Sequence, residues 1–384
     1  MKDIRIGVIG CGIIAQYHLE TYAAIPGVKV AAICDIDEKT LDETFDKWKD
    51  KLGIEAKYQN FRDLLARDDI IAVDVCLHNN LHAPVTIEAL RNGKHAYCEK
   101  PMAGAWKDAE AMLKTAGETG KMLHIQLATL YLPETRAAKK LIDAGRLGHI
   151  YHARSKGYRR MGRPFVDGYA TKEFNSSHMA AGGALFDMGV YHISQLLYLL
   201  CRPALQTVTG SAYQEMDMDK TRREISGFDV EELGVGFARY EKGLTMDIIE
   251  SWSIHMDDFG ASFLAGSKGG IRLSPFSFHT FENDIIMETK ADLKADEYRN
   301  RQLNPGLKAY SGSQEHWVAV LRGEADLWPT AEIALDTSLL SEGIYLSSGL
   351  SREVTAEEIR AKSKSHALTS QDTPMGLLNY EPVK

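Results

Sequence analysis

Several function classes are excluded by what this sequence lacks. No stretch approaches the ~20 apolar residues of a membrane span, and no block of lysines and arginines stands out. With a net charge of −8 and a pI near 5.9, neither nucleic acid nor an anionic membrane is expected as a partner. The opening run MKDIRIGVIG sets Asp3 and Arg5 where a secretory signal needs its apolar core. Its five cysteines form no Cys-x-x-Cys pair, so they read as buried small residues in a reducing compartment. Internal repeats and low-complexity tracts are also missing. What remains is 384 residues, 44% of them apolar, enough for two domains of a cytoplasmic protein of enzyme size.

The first third alternates regularly. Strand patterns at Ile4–Ile9, Val28–Cys34, Ala72–Leu77, Ala96–Cys98 and Met122–Leu127 are separated by helical patterns at Ile13–Ile25, Glu38–Leu52, Phe61–Ala66, Ala83–Asn92 and Trp106–Thr119. Strands apolar throughout, between amphipathic helices, predict a doubly wound parallel sheet covered on both faces. Beyond residue 127 a helix at Pro133–Ala144 and a strand at Gly148–Tyr158 precede a long helix over Gly183–Cys201. Strands at Gln206–Gln214, Leu233–Tyr240, Leu244–His255 and Ala261–Leu273 then follow without helices between them, and helices at Ser313–Leu321 and Thr330–Ser347 come last. The expectation is α/β. A Rossmann domain over 1–127 is followed by an α+β substrate-binding and oligomerisation domain over 128–361, with a large open, mainly antiparallel sheet. A polar tail, 362–384, is read as an arm or as disordered.

The first strand runs into Gly10-Cys11-Gly12-Ile13-Ile14-Ala15, a G-x-G-x-x-A turn between strand and helix. Gly10 suits the tight turn, and Gly12 suits a close approach to a pyrophosphate. The helix N–H groups around Ile13 and Ile14 face the phosphates. Asp35 ends the second strand about 20 residues beyond Ala15, where a carboxylate grips the ribose hydroxyls. Asp37 and Glu38 follow it with no arginine nearby in sequence, so a 2′-phosphate meets carboxylates. NAD is therefore expected over NADP.

Ligands of doubly wound folds sit at the carboxyl ends of the strands, where Leu77 and Cys98 also end. Glu99-Lys100-Pro101 thus falls at the cofactor edge. The pair is either a surface ion pair or a catalytic lysine with its partner. Its place favours the second, since Pro101 fixes Lys100 on a short extended spur.

GVIGCGIIA, Asp35, Asn79-x-x-His82 and Glu99-Lys100-Pro101 together resemble the Gfo/Idh/MocA family of NAD(P)-dependent oxidoreductases, roughly from Ile4 to Leu350. The resemblance implies a Rossmann domain followed by an open-sheet α/β domain, dimers or tetramers built on those sheets, and Lys100 at the catalytic centre. It further implies that Asn79 and His82 flank the nicotinamide half of the cofactor. A second motif, AGGALFDMGVYHIS (181–194), is similar to the family's G-G-G-x-x-x-D-x-G-x-H. Here Ala181 replaces the first glycine, and Tyr191, then His192, stands where the histidine is usual. On a continuous helix Asp187 and Tyr191 share a face, which makes Tyr191 the favoured partner and His192 the fallback.

The implied reaction is hydride transfer between NAD and a secondary alcohol or ketone. Lys100 or Tyr191 takes the hydroxyl proton, and His192 or Asp187 relays it. Tyr158, Arg159, Arg160 and Arg163, with Phe165, Tyr169, Phe174, Trp252 and His255, mix aromatics with cations. That mixture suits a sugar, glycoside or polyol, while the arginines also allow a sugar acid. Where the family often has an aromatic-Arg-x-x-Pro run, this chain reads Thr129-Leu130-Tyr131-Leu132-Pro133. His78 and His82 are four apart but lack a third ligand, so no metal is expected. A non-catalytic NAD-binding sensor is the alternative, and a dehydrogenase of a non-sugar diol a further one. An apolar face left open on a one-sided sheet predicts a homo-oligomer, dimer or tetramer.

Overall fold

Glycine turns and apolar strands do what their chemistry dictates in the first unit. The computed structural model of the chain describes residues 3–303 and 305–384. Strands β1 (Ile4–Ile9), β2 (Val28–Cys34), β3 (Ala56–Tyr58), β4 (Ala72–Val75), β5 (His95–Cys98) and β6 (Leu123–Ile125) form one parallel sheet in the order β3-β2-β1-β4-β5-β6. Between them run α1 (Ile13–Ala24), α2 (Glu38–Leu52), α3 (Phe61–Leu65), α4 (Asn79–Arg91) and α5 (Trp106–Thr119). The short β3 escapes the sequence reading because its three residues, half-exposed or exposed, carry no apolar run. Helix α4 starts four residues earlier than its apolar pattern indicates, which moves His82 from a loop into the helix.

Later chain returns to this unit, which runs to Gln126 and takes back Ala309–Glu332 and Ser365–Lys384. Trp317, on the helix Ser313–Leu321, is fully buried in the same core as Ile6, Val8, Leu19 and Tyr97. The tail is structured: a hairpin pairs Ser370–Thr373 with Gly376–Asn379, and Tyr380 stacks on Phe61. Buried Asp108 accepts the backbone N–H groups of His366 and Ala367 at 2.8 and 3.1 Å. These returns are invisible to a linear reading because single aromatic anchors, rather than periodic patterns, carry them.

The second unit comprises Leu127–Lys308 and Ile333–Lys364. Its strands are β7 (Ile150–Tyr158), β8 (Leu205–Tyr213), β9 (Leu233–Tyr240), β10 (Thr245–Ser251), β11 (Phe263–Gly266), β12 (Gly270–Arg272), β13 (Ser277–Glu282), β14 (Ile285–Lys290) and β15 (Val354–Thr355). They make a nine-stranded sheet, β14-β13-β12-β11-β7-β10-β9-β8-β15, antiparallel except where β10 pairs with β7. The expected strand over Ala261–Leu273 is two strands, because the chain turns between Ala265 and its partner Gly270. The β13–β14 hairpin was not expected, since β14 is exposed throughout. Its signal was nonetheless there: Asn283 and Asp284, both at positive φ, form the two-residue turn that such hairpins prefer.

One face of this sheet is covered. Helix α6 is Pro133–Asp143, and three short-linked helices follow the 160–176 loop: α7 (Ser177–Ala180), α8 (Ala184–Asp187) and α9 (Gly189–Leu199). The continuous helix expected over Gly183–Cys201 is thus interrupted at Met188 and stops before Cys201. Cys201 itself is exposed, unlike the other four cysteines, and all five are free thiols. Among the described residues no helix is long and apolar enough to cross a membrane.

Candidate active site

Gly10 occupies a position that no side chain tolerates. Its φ is +92°, and a Cβ there would lie 2.2 Å from the carbonyl oxygen of Cys76 at the end of β4. The turn then enters α1 through Gly12, where a Cβ would meet nothing within 4 Å. No side chain caps α1 and no acidic residue sits in its first turn. The positive end of the helix is therefore left for an anion. Ile13 and Ile14 stand beside it 60% and 38% exposed. The Asp35 carboxylate accepts N–H bonds from Cys11 at 2.7 Å and Asp37 at 2.9 Å, which aims it at this turn. Asp37 instead serves α2 as its N-cap, accepting from Thr40 at 2.7 Å. A dinucleotide fits this cradle: a side-chain-free approach for the pyrophosphate, and a carboxylate held for the ribose.

Glu99 is not part of a surface ion pair. It is buried, and its Oε1 lies 2.8 Å from His18 Nε2 while its Oε2 accepts the Lys100 backbone N–H at 3.0 Å. The other ring nitrogen of His18, Nδ1, is 2.8 Å from Asp74 Oδ2, which also accepts the Tyr22 hydroxyl at 2.9 Å. Burial alone would lower the His18 pKa, but Asp74, with Cys76 beside it, holds it well above the ordinary imidazole value. Burial likewise opposes ionisation of Glu99, yet the bond and charge of His18, with Lys100, keep its pKa below the usual carboxylate range. His18, Asp74 and Cys76 are close enough to suggest a metal set. However, 2.8 Å between Nδ1 and Oδ2 is a hydrogen-bond distance, whereas tetrahedral zinc spreads its ligands to about 3.3 Å.

Lys100 is half-buried, and its peptide bond to Pro101 is cis. His82 is wholly buried, with Nδ1 2.7 Å from the Pro101 carbonyl and Nε2 2.9 Å from that of Leu77. Whichever nitrogen carries the proton, the ring wedges the end of β4 against the Lys100–Pro101 spur. Burial pushes its pKa down. His82 thus shapes the spur and presents neither nitrogen outward. Asn79, also buried, opens α4.

In the second unit a buried glutamate organises the motif over 181–194. Glu250, on β10, accepts the Ser155 hydroxyl at 2.8 Å and lies 2.9 Å from His192 Nδ1. Burial would lower the His192 pKa, but the Glu250 charge raises it above the ordinary value. His192 stays 28% exposed, with Nε2 as its remaining nitrogen. A Cβ at Gly157 would come within 2.3 Å of His192 Cε1 and 2.5 Å of Glu250 Oε2, so glycine is what lets the two meet. Asp187 Oδ2 accepts the indole N–H of Trp252 at 2.9 Å. Tyr191 is half-buried, and its carbonyl accepts the Thr129 hydroxyl at 2.7 Å.

Several aromatics and cations chosen from sequence are engaged within the protein itself. Trp252 is a core residue packed with Phe228, Val230 and Met188. Arg163 is buried, its guanidinium turned inward onto Asp167 at 3.2 Å and Glu232 at 3.4 Å. Buried arginine needs such partners, and they remove it from any substrate wall. Arg159 is exposed and donates to the Tyr169 hydroxyl, and Tyr158 donates to the Asp257 carbonyl. The sequence reading missed His18, Tyr22, Asp74, Gly157 and Glu250. Two signals were available: His18 and Tyr22 share the apolar stripe of α1 with Ala15 and Leu19, and Asp74 interrupts a strand otherwise apolar. A buried charge in such a strand demands a partner.

Comparison with known proteins bears on the family and the fold. Residues 4–127 match the model of an oxidoreductase family described as having an NAD-binding Rossmann fold, and residues 135–272 match the GFO/IDH/MocA C-terminal domain. The chain is 26% identical over 308 residues to D-glucoside 3-dehydrogenase of Escherichia coli K12, spanning 78% of this chain and 85% of that protein. It is 31% identical over 158 residues to inositol 2-dehydrogenase of Salmonella typhimurium, a match covering 40% of this chain and 46% of that protein. In fold it is similar to an oxidoreductase domain protein from Kribbella flavida (TM-score 0.77, 19% identity, 93% and 100% of the two chains). It is similar also to levoglucosan dehydrogenase solved with NADH and levoglucosan (TM-score 0.75, 19% identity, 92% and 100%).

Proposed function

Since the chain belongs to the Gfo/Idh/MocA family of oxidoreductases, with its NAD-binding Rossmann domain, we propose that it moves hydride between NAD and a secondary hydroxyl or ketone of a sugar, glycoside or polyol. The observation that carries the reading is Lys100, set at the carboxyl end of β5 by a buried, doubly bonded Glu99. A solvated edge lysine needs no such support. The relatives named for glucoside, inositol and levoglucosan chemistry support the substrate class.

When bound, NAD supplies the acceptor for the carbinol hydride. Gly10 and Gly12 would leave room for its pyrophosphate, the uncapped start of α1 would meet the phosphate charge, and Asp35 would accept from the ribose hydroxyls. A 2′-phosphate would lie against the Asp35 carboxylate, which favours NAD over NADP. Lys100 Nζ takes the hydroxyl proton as the carbonyl forms. In the second unit His192 donates through Nε2 to a substrate oxygen, held in that orientation by Glu250, and Asp187 accepts from a neighbouring hydroxyl. That division of roles places His192 above Tyr191, because Glu250 gives it a fixed direction and charge.

The test is NAD reduction by the purified protein across a panel of sugars, inositols, glycosides, sugar acids and simple diols. Turnover on a member of the first three groups is expected. Cofactor binding with no turnover on any panel member would mark a sensor instead. The uncovered sheet face, with Leu233, Val235, Phe237, Ile249 and Phe263 half-exposed, supports a homo-oligomer. Light scattering at micromolar concentration showing a monomer would overturn that part. The four buried thiols suit a reducing compartment such as the cytoplasm.

A further inference from the structure

A lysine that follows a glutamate is a poor base, because the adjacent carboxylate stabilises its ammonium form. Something must offset Glu99 if Lys100 is to lose a proton near neutral pH. Asp74, within a strand buried throughout, and Glu99, ending the next strand, bring two carboxylates into one interior. Unpaired, they would repel each other and lose their hydration without compensation.

His18 stands between them. With Nδ1 on Asp74 and Nε2 on Glu99, both at 2.8 Å, a neutral ring would turn one lone pair onto a carboxylate oxygen. The remaining contacts also use both carboxylates as acceptors. Asp74 also takes the Tyr22 hydroxyl at 2.9 Å and the Cys76 thiol at 3.4 Å, and Glu99 takes the Lys100 N–H at 3.0 Å. From the neighbouring elements, Tyr22 of α1, Cys76 after β4 and Tyr97 of β5 are pushed up by burial and stay neutral, and burial pushes the pKa of His82 of α4 down. Gln314 donates to the His18 carbonyl, fixing the backbone of α1 at that point. The ring is therefore held at both nitrogens, and the backbone that carries it is anchored as well.

We infer that His18 is the positioning residue of Lys100: its imidazolium, clamped between Asp74 and Glu99, aims the Glu99 carboxylate at the Lys100 peptide and cancels the hold of that carboxylate on the Lys100 ammonium. Neither ring nitrogen is available to exchange a proton with substrate, so His18 acts through its charge and its geometry. That Lys100 accepts a proton rests on the function proposed above, whereas the dependence of its acidity on His18 does not.

The test needs neither cofactor nor substrate. Competitive acylation of amines at a series of pH values, read at the Lys100 peptide by mass spectrometry, reports the pH at which Lys100 becomes half-reactive. In His18→Gln that pH is expected to rise by about one unit or more, so that Lys100 reacts about tenfold more slowly at neutral pH. Glu99→Gln should lower it. The double variant His18→Gln/Glu99→Gln should return close to the starting value, because both charges are removed together. A merely structural role for His18 predicts no such return. Thermal melts and NAD titration check folding, and His18→Asn serves in place of a poorly folding glutamine variant, with the same expectation. An unmoved value in the His18 variant, or a double variant that fails to return, overturns the inference. The rising limb of kcat/KM against pH should move with the labelling. If the labelling behaves as expected while the native protein turns over no panel member, the enzyme reading fails and the His18 assignment stands.

Discussion

The two units each hold a histidine against buried carboxylate, and they bond it in different ways. In the first, His18 lies between Asp74 and Glu99 with both nitrogens occupied and almost no surface. In the second, His192 is bound on one side only, by Glu250, and keeps an exposed edge. Both rings have raised pKa values, so both are cationic over a wider range than free histidine. The difference teaches that a neighbouring carboxylate by itself does not make a histidine a proton carrier. The number of committed nitrogens and the access of solvent decide that. Two partners and burial produce a fixed charge, whereas one partner and an open edge produce a donor that can act on a ligand.

Replacing the base breaks the contrast most severely. Lys100→Met should lower kcat by the ~10²–10⁴-fold of a lost general base, while NAD binding, read by fluorescence titration, stays near its native value. If Lys100 were only an edge charge, stability would change by ~1 kcal/mol or less and turnover would hold. Tyr191→Phe and the double variant extend the measurement. Equal damage from both single variants, with a double little worse, would return the proton to Tyr191.

Next in size is the second-unit histidine. His192→Asn, or Gly157→Ala, which drives a methyl into the His192–Glu250 contact, should cost roughly ten- to hundredfold in kcat/KM with kcat less affected, as a lost charge-assisted substrate bond of ~1.5–3 kcal/mol implies. The pH dependence sharpens it. A donor with a raised pKa works below that value and is lost as pH rises through it, so substrate affinity should fall on the alkaline side. Glu250→Gln removes the charge that raises the pKa, and the loss should then begin at lower pH. No change in that limb would separate His192 from the reaction. For stability the sign is the same for both rings: their contribution is complete below about pH 6.5 and fades as pH rises through the folded value.

A smaller effect is expected where no histidine is involved. Asp35→Ser should erase a preference for NAD over NADP of about tenfold, ~1.4 kcal/mol, measured as the ratio of the two dissociation constants. An unchanged ratio would place cofactor choice elsewhere.

The smallest concerns Ala181, which stands where the family motif has glycine and is held at φ +65°, ψ −40°. Ala181→Gly should raise stability by up to ~1 kcal/mol, read as a higher Tm, since only glycine adopts that conformation without strain. A lower Tm would mean that the methyl packs better than it strains.

Local chemistry alone determined a large part of this protein. The apolar strands, the helical stripes, the tight turn at Gly10, the strand-end aspartate and the Lys100 spur all depend on residues within a few positions of one another. Their geometry follows from backbone sterics and periodicity. Only the tertiary structure decided what stands behind them. His18 meets Asp74 and Glu99 from two neighbouring strands, His192 on α9 meets Glu250 on β10, and Arg163 turns inward onto Glu232. Trp317 carries a late helix back into the first core. Such pairings join groups far apart in the chain. A buried charge demands a partner wherever the fold brings one, and the identity of that partner is a property of packing that no local pattern encodes.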